Sequence, residues 1–267
     1  MKAKKSLGQH FLIDGSAIRQ IVDAAKIGAD DLVIEIGPGR GALTGLLVKQ
    51  AAQVLAIEID EDMCHILRRQ FANDKNFSLV AADVQLVDLC ELVQNQGFSR
   101  AILVGNLPYH ITGILMRQIL SARDVLSKAV IMVQREVARR ITAKPGNKDY
   151  GVLTTVTQIN CVPQLIFDLP PSYFEPPPKV HSSVLRLQFD GAPQFIVEDQ
   201  DLFLKVVHAS FQQRRKMLRN TLRSLFDGND DLLIEILQEA GVDATLRPEA
   251  VPVGQFELIA RAWDKRR

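Results

Sequence analysis

Between residues 31 and 134, short apolar runs alternate with longer amphipathic stretches. That rhythm limits the fold more than any other feature of the chain. The runs are "LVIEI", "QVLAIEI", "FSLVAAD", "AILVGN" and "KAVIMV", and between them lie stretches such as "ALTGLLVKQA", "EDMCHILRRQF" and "GILMRQIL". Strand, helix and strand in repetition predict an α/β fold, a Rossmann-like parallel sheet with helices on both faces. The strands are apolar throughout rather than alternating, as expected when both faces are buried.

After "AKPGNKDYG" the texture changes. "LTTVTQI" reads as either helix or strand. "VPQLIFDLP" and "SSVLRLQF" flank the proline knot "PPSYFEPPPKV" and are expected to add strands at one end of the sheet. The chain loosens near Gly191–Pro193, and from about residue 199 it reads as helical. The predicted organisation is a larger domain over residues 1–192, N-terminal arm included, and a smaller all-helical domain over 193–267.

No run of about 18 apolar residues exists to suggest a membrane span. The basic start "MKAKKSLGQHFLID" is followed by no apolar stretch of signal-peptide length, which points to a cytoplasmic protein. Cys64, Cys90 and Cys161 are odd in number and form no C-x-x-C pair, so neither a disulfide framework nor a metal site is expected. The net charge of +1 announces no polyanionic partner, but local charge does. Lys2, Lys4 and Lys5 cluster at the start, and Phe211–Arg223 holds Arg214, Arg215, Lys216, Arg219 and Arg223 without an acid. Such patches let part of a near-neutral surface bind a polyanion.

The stretch "VIEIGPGRGALT" joins the first strand to its helix. Gly37, Gly39 and Gly41 let backbone approach a ligand closely, and the helix behind them presents free N–H groups. A nucleotide-like cofactor is expected there, with Glu58, at the end of the second strand, on its ribose hydroxyls. The loop also satisfies the relaxed dinucleotide fingerprint, so the motif alone leaves NAD open. Two acids favour S-adenosylmethionine. Glu35 stands at the top of the first strand, where it can face a cationic methionine end. Asp83 follows the third strand, where a carboxylate can accept from an adenine amine, although an Asp after a strand is often only a helix cap.

"GNLPY" ends the fourth strand, at the same sheet edge. No activated Ser or Cys lies nearby, so the nucleophile for a methyl donor belongs to the substrate. An exocyclic amine of a nucleobase fits. Its lone pair is freed for attack if Asn106 accepts one N–H on its side-chain oxygen and Leu107 accepts the other on its backbone carbonyl. Pro108 stiffens the turn and removes a competing donor. Tyr109 offers a stacking face worth about 1–3 kcal/mol. Phe174 is a candidate for a second wall, or else a core residue. No strong general base is required, and the product amine can lose its proton to solvent.

In order along nearly the whole chain, "KKSLGQHFL", "EIGPGRGALT", "AIEID", "GNLPY", "FEPPPKVHSS" and "FQQRRKMLRNTL" resemble the ribosomal RNA adenine N6-dimethyltransferases, and in particular the bacterial small-subunit type. The resemblance implies an S-adenosylmethionine-dependent methyltransferase domain, no metal, and two methyl transfers to each of two adjacent adenines near the 3′ end of 16S rRNA. The implied partner is rRNA in a pre-30S particle, with no DNA and no membrane, and monomer is the default. His10, Leu12, Gly37, Gly39, Glu58, Asp83 and Asn106 would hold the cofactor, while Tyr109 and Phe174 would sandwich the target base. One departure is that many relatives carry Asn where this chain has His10.

The helical domain would dock the RNA. On one helix, Phe211, Leu218, Leu222 and Leu225 share an inward face. Arg215, Arg219 and Arg223, spaced by four, form a stripe beside it, with Arg214 and Lys216 adjacent, suited to phosphate contacts. Two rivals stay open on these residues: a large-subunit rRNA adenine methylase, and an RNA-binding assembly factor without catalysis. Leu107, "PPPKVHSS" and "FQQRRK" favour the small-subunit enzyme.

Overall fold

The apolar runs become the parallel part of a seven-stranded sheet, in the order Phe77–Ala81, Gln53–Glu58, Leu32–Ile36, Ala101–Asn106, Leu126–Gln134, Ser182–Gln188, Val162–Leu169. The computed structural model describes residue 4 and residues 7–190 and 195–267. Lys2 and Lys5 of the basic start, and the Gly191–Pro193 stretch, lie outside the described residues. In chain order the first elements are β1 (Phe11–Leu12), α1 (Gly15–Ala25), β2 (Leu32–Ile36), α2 (Thr44–Leu47), β3 (Gln53–Glu58), α3 (Glu61–Gln70) and β4 (Phe77–Ala81). There follow α4 (Leu89–Asn95), β5 (Ala101–Asn106), α5 (Thr112–Ser121), β6 (Leu126–Gln134) and α6 (Arg135–Ile141). The remainder is α7 (Val152–Asn160), β7 (Val162–Leu169), β8 (Phe174–Glu175), β9 (Ser182–Gln188), α8 (Gln200–Phe211), α9 (Leu218–Leu222), α10 (Asp230–Glu239) and α11 (Val253–Asp264).

The strands from β4 to β6 run parallel, and β9 and β7 add antiparallel at one end, as the two β-rich segments led one to expect. All five residues of β2 are buried, whereas β4 at the sheet edge is half-exposed. The unbroken apolar pattern therefore holds for the central strands and weakens where one side has no neighbour. The chain leaves β2 for β3 and β4 on one side and returns to β5 and β6 on the other. This reversal opens a crevice at the carboxyl ends of β2 and β5. In the register Ile36 faces Gly105, so Gly37 and Asn106 emerge side by side.

The chain divides into two compact units, passing from the first to the second after Ala138, back at Val162, and again after Gly191. The segment that read as helix or strand is α7, and it belongs to the second unit. That unit thus draws on two stretches of chain, where a single boundary at 192 was expected. The physical reason is burial. Tyr150 is fully buried, its hydroxyl donates to the Val251 carbonyl at 2.8 Å, and Tyr150 and Ile159 share a core with Phe203, Leu222, Ile236 and Phe256.

The single helix expected from Phe211 through Leu225 is not formed. Helix α8 stops at Phe211, residues 212–217 turn, α9 covers Leu218–Leu222, and a 3-10 turn spans Arg223–Phe226. Met217 is extended, and the N–H groups of Leu218 and Arg219 donate to the carbonyls of Leu246 and Ala244 instead of to a preceding helical turn. Tertiary partners therefore replace the helical ladder. The apolar positions still point inward: Phe211, Leu218 and Leu222 are buried, and Leu225 packs against the same core. Arg215, Arg219 and Arg223 lie on three consecutive elements, so they make no stripe along one helix.

Candidate active site

A cavity of about 280 Å³ occupies the crevice at the carboxyl ends of β2 and β5. His10, Leu12, Gly37, Gly39, Glu58, Asp83 and Asn106 all line it, and so do Leu107, Pro108 and Tyr109. The topology makes this convergence: each of these residues ends a strand, begins the loop after it, or lies on the arm that crosses the same edge. The arm is held by β1, which pairs antiparallel with β8 so that Leu12 faces Phe174.

At one end of the cavity Glu58 receives main-chain N–H groups from Gly39 at 3.1 Å and Asp60 at 2.9 Å. Burial raises the pKa of its carboxyl, and those hydrogen bonds oppose the rise. Each oxygen keeps a further lone pair for a hydroxyl donor. Gly39 has φ 54°, and a Cβ there would lie 2.9 Å from the Phe11 ring, so only glycine lets the arm close on the loop. Asp60 ties down the arm by accepting from Lys4 at 2.5 Å and from Gln9 at 2.7 Å. The sequence reading missed this tie, although both partners stand inside the motifs "AIEID" and "KKSLGQHFL".

Glu35 is 1% exposed and accepts from the Thr44 hydroxyl at 2.7 Å. Burial lifts its carboxyl from 4.5 to about 7, with the Thr44 bond pulling the other way. A cation in the cavity would restore its ionised form. Asp83 caps the short turn after β4, accepting from the Gln85 N–H at 2.9 Å, and lines the cavity as well. The cap and the ligand readings of Asp83 are therefore compatible.

Asn106 ends β5, and its Nδ2 donates to the His10 main-chain carbonyl at 2.9 Å. A carbonyl only accepts, so the side-chain oxygen is the atom left to accept from a donor in the cavity. The Leu107 N–H is taken by Met132 at 3.1 Å, which seats the turn on β6. The Tyr109 hydroxyl shares a 2.5 Å hydrogen bond with Ser182. Burial pushes that hydroxyl up and the Ser182 bond opposes it, so Tyr109 presents a neutral ring rather than a base.

Phe174 is not brought to the cavity. It is 2% exposed, paired with Leu12, and packed in a core with Leu169 and Val184. The expected sandwich of Tyr109 and Phe174 is therefore not assembled in this conformation. The ring stacked against Tyr109 is that of His10, with centroids 5.8 Å apart and planes at 26°. His10 Nδ1 meets the Pro176 carbonyl at 2.7 Å.

In the helical unit all five basic residues are exposed. Arg214 donates to the carbonyls of Lys148 and Tyr150, and Arg223 pairs with Asp230 at 3.0 Å. Among the described residues, the side chains of Arg215, Lys216 and Arg219 make no hydrogen bond or ion pair. Of the five, these three have uncommitted side chains.

Among the described residues no group of His, Cys, Asp and Glu is arranged to hold a metal ion, and no helix is long and apolar enough to cross a membrane.

A family model described as ribosomal RNA adenine dimethylase matches residues 1–263. The chain is 39% identical over 263 residues to ribosomal RNA small subunit methyltransferase A of Caldanaerobacter subterraneus, covering 98% of this chain and 97% of that protein. It is 41% identical over 265 residues to the protein of the same name from Moorella thermoacetica, covering 97% and 91%. Among solved structures, a dimethyladenosine transferase from Plasmodium falciparum superposes with a TM-score of 0.83 at 23% identity, covering 96% of this chain and 98% of that one. The 23S rRNA methyltransferase ErmE superposes with a TM-score of 0.75 at 26% identity, covering 95% and 99%.

Proposed function

The chain belongs to the ribosomal RNA adenine dimethylase family, and on that premise we propose that its cavity holds S-adenosylmethionine against the N6 amine of an adenine in small-subunit rRNA. The enzyme is an rRNA adenine dimethyltransferase of the small-subunit type. The relatives bearing that name are 39% and 41% identical, against 26% for the 23S enzyme. The large-subunit and NAD readings of the motifs give way accordingly.

S-adenosylmethionine, when bound, supplies an electrophilic methyl carbon. The residues supply binding and aim. Glu58 accepts from ribose hydroxyls, and Asp83 from the cofactor's adenine amine. Glu35 balances positive charge at the methionine end. Asn106 accepts one N–H of the target amine on Oδ1 and the Leu107 carbonyl accepts the other, which turns the nitrogen lone pair towards the methyl carbon. The Tyr109 ring stacks on the base. This is positioning with oriented dipoles. Arg215, Lys216 and Arg219, supported by Arg214 and Arg223, take rRNA phosphates, and the substrate is a pre-30S particle met by a monomer.

One observation carries the reading: the Asn106 amide is turned by its bond to His10 so that its acceptor oxygen is left for a donor, in the cavity that Glu58 and Gly37 line. The test is incubation of under-methylated small subunits, with large subunits in parallel, with labelled donor, followed by mapping of the modified nucleotides. Label in two adjacent adenines near the 3′ end of 16S rRNA is the expected result. Label confined to the large subunit would overturn the reading.

A further inference from the structure

The N–H groups of Gly39 and Asp60 hold the two oxygens of Glu58, Gly39 on Oε2 and Asp60 on Oε1. The arm braces both donors. Its Phe11 ring packs on Gly39 so closely that a Cβ there would collide with it. Asp60 Oδ1 accepts from the Lys4 ammonium at 2.5 Å, and Oδ2 accepts from the Gln9 amide at 2.7 Å. Lys4 also reaches Asp62 at 2.8 Å. The Asp60 side chain is 1% exposed, and a buried carboxylate is fixed by its donors because an oxygen left without one is costly. Oδ1 caps α3 as well, accepting from the Asp62 N–H at 3.0 Å. The peptide that bonds Glu58 is therefore set by the arm on one side and by the helix on the other.

We propose that Asp60 is a positioning residue that transmits closure of the arm to Glu58, so that the Lys4 ion pair sets how tightly the site grips the ribose of its cofactor. The inference rests on the reading that Glu58 accepts from ribose hydroxyls. Neither Lys4 nor Asp60 lines the cavity, whereas Glu58 does, so any effect of the pair on a ligand is indirect. The arm is anchored at its other end by β1 on β8, which leaves Lys4 and Gln9 as its ties at the far end. With those ties intact, each Glu58 oxygen has one lone pair taken by the main chain and another aimed at a hydroxyl. With them lost, Asp60 has no partner on the arm and its peptide is free to turn. Glu58 must then be ordered at the expense of ligand binding. Lys4 is thus committed to the protein's own acids, although it stands in a basic cluster suited to a polyanion.

The test is calorimetry with two ligands, S-adenosylhomocysteine and the same compound lacking both ribose hydroxyls. The proteins are wild type, Lys4→Met, Lys4→Arg and Asp60→Asn. Asparagine keeps the cap of α3 and loses the charge that holds Lys4. We expect Lys4→Met to bind S-adenosylhomocysteine about fivefold more weakly, Asp60→Asn about tenfold more weakly, and Lys4→Arg as wild type does. For the compound without hydroxyls all four proteins should agree within about twofold. Wild-type affinity in Lys4→Met would overturn the inference. Equal losses for the two ligands would overturn it too, since the arm would then act only as a general wall of the cavity. A wild-type protein that binds both ligands equally well would instead overturn the assignment of Glu58 to the ribose.

Discussion

Asn106 has one amide to divide between the arm and a ligand. Its Nδ2 donates to the His10 carbonyl, and under the proposed function its oxygen aims the amine. Asn106→Ala removes both. Loss of one oriented group of this kind costs about a hundredfold to a thousandfold in rate, so single-turnover methylation should fall by that factor while calorimetry shows donor affinity changed far less. Tyr109 separates ring from hydroxyl. Tyr109→Phe loses only the Ser182 bond and should keep most activity, whereas Tyr109→Ala loses about 1–3 kcal/mol of stacking, read as weaker substrate binding. Equal effects of the two changes would mean that the hydroxyl, not the face, matters. Glu35 gives a pH dependence. Its folded pKa of about 7 lies above the ordinary 4.5, so between those values the folded protein binds more protons than the unfolded chain. Stability therefore falls as pH rises through this window, by about 3 kcal/mol in all. Urea midpoints at pH 5 and pH 8 should differ more for wild type than for Glu35→Gln. Donor affinity should rise over the same window in wild type, because a cationic ligand favours the ionised carboxylate.

At the level of elements, the site depends on how closely β2 and β5 approach. A Cβ on Gly105 would stand 2.7 Å from the Ile36 carbonyl oxygen, a backbone atom that cannot step aside. Gly105→Ala should therefore part the strand ends that carry Gly37 and Asn106. We expect a lowered thermal midpoint and weakened donor binding together, measured by calorimetry. The broken helix after Phe211 has its own consequence. Because Arg215 sits on a turn and Arg219 on α9, the proposed function has them act as separate point charges on phosphates. Reversing both to Glu should weaken rRNA binding at moderate salt, flatten its salt dependence by roughly two phosphate contacts, and leave donor affinity alone. Unchanged binding would remove these residues from the interface. The helical wheel placed the apolar face correctly because burial selects apolar side chains whether or not the backbone is continuous. It missed the break because the acceptors for Leu218 and Arg219 lie some 25 residues downstream, at Leu246 and Ala244.

For the molecule as a whole, the two-unit division and the site answer to different kinds of information. The glycine loop, the acids Glu35, Glu58 and Asp83, and the Asn106–Tyr109 turn were legible along the chain because each is tied to the end of a strand. A parallel sheet sends all strand ends to one edge. Residue order within one motif therefore sufficed to place them together. The assignment of α7 to the helical unit was not legible, since "LTTVTQI" is apolar enough for either unit and only the burial of Tyr150 and Ile159 in the helical core decides it. Nor was the position of Phe174, whose fate hangs on the pairing of β8 with β1 about 160 residues earlier. The sequence by itself determined the alternation of strands and helices between residues 31 and 134, the glycine loop after β2 and the residue types of the turn after β5, because these rest on local spacing and strand periodicity. The tertiary structure alone decided which ring faces Tyr109, which cations remain available, and how the arm closes on Gly39, because those outcomes depend on contacts between residues far apart in the chain, and local pattern carries no record of such contacts.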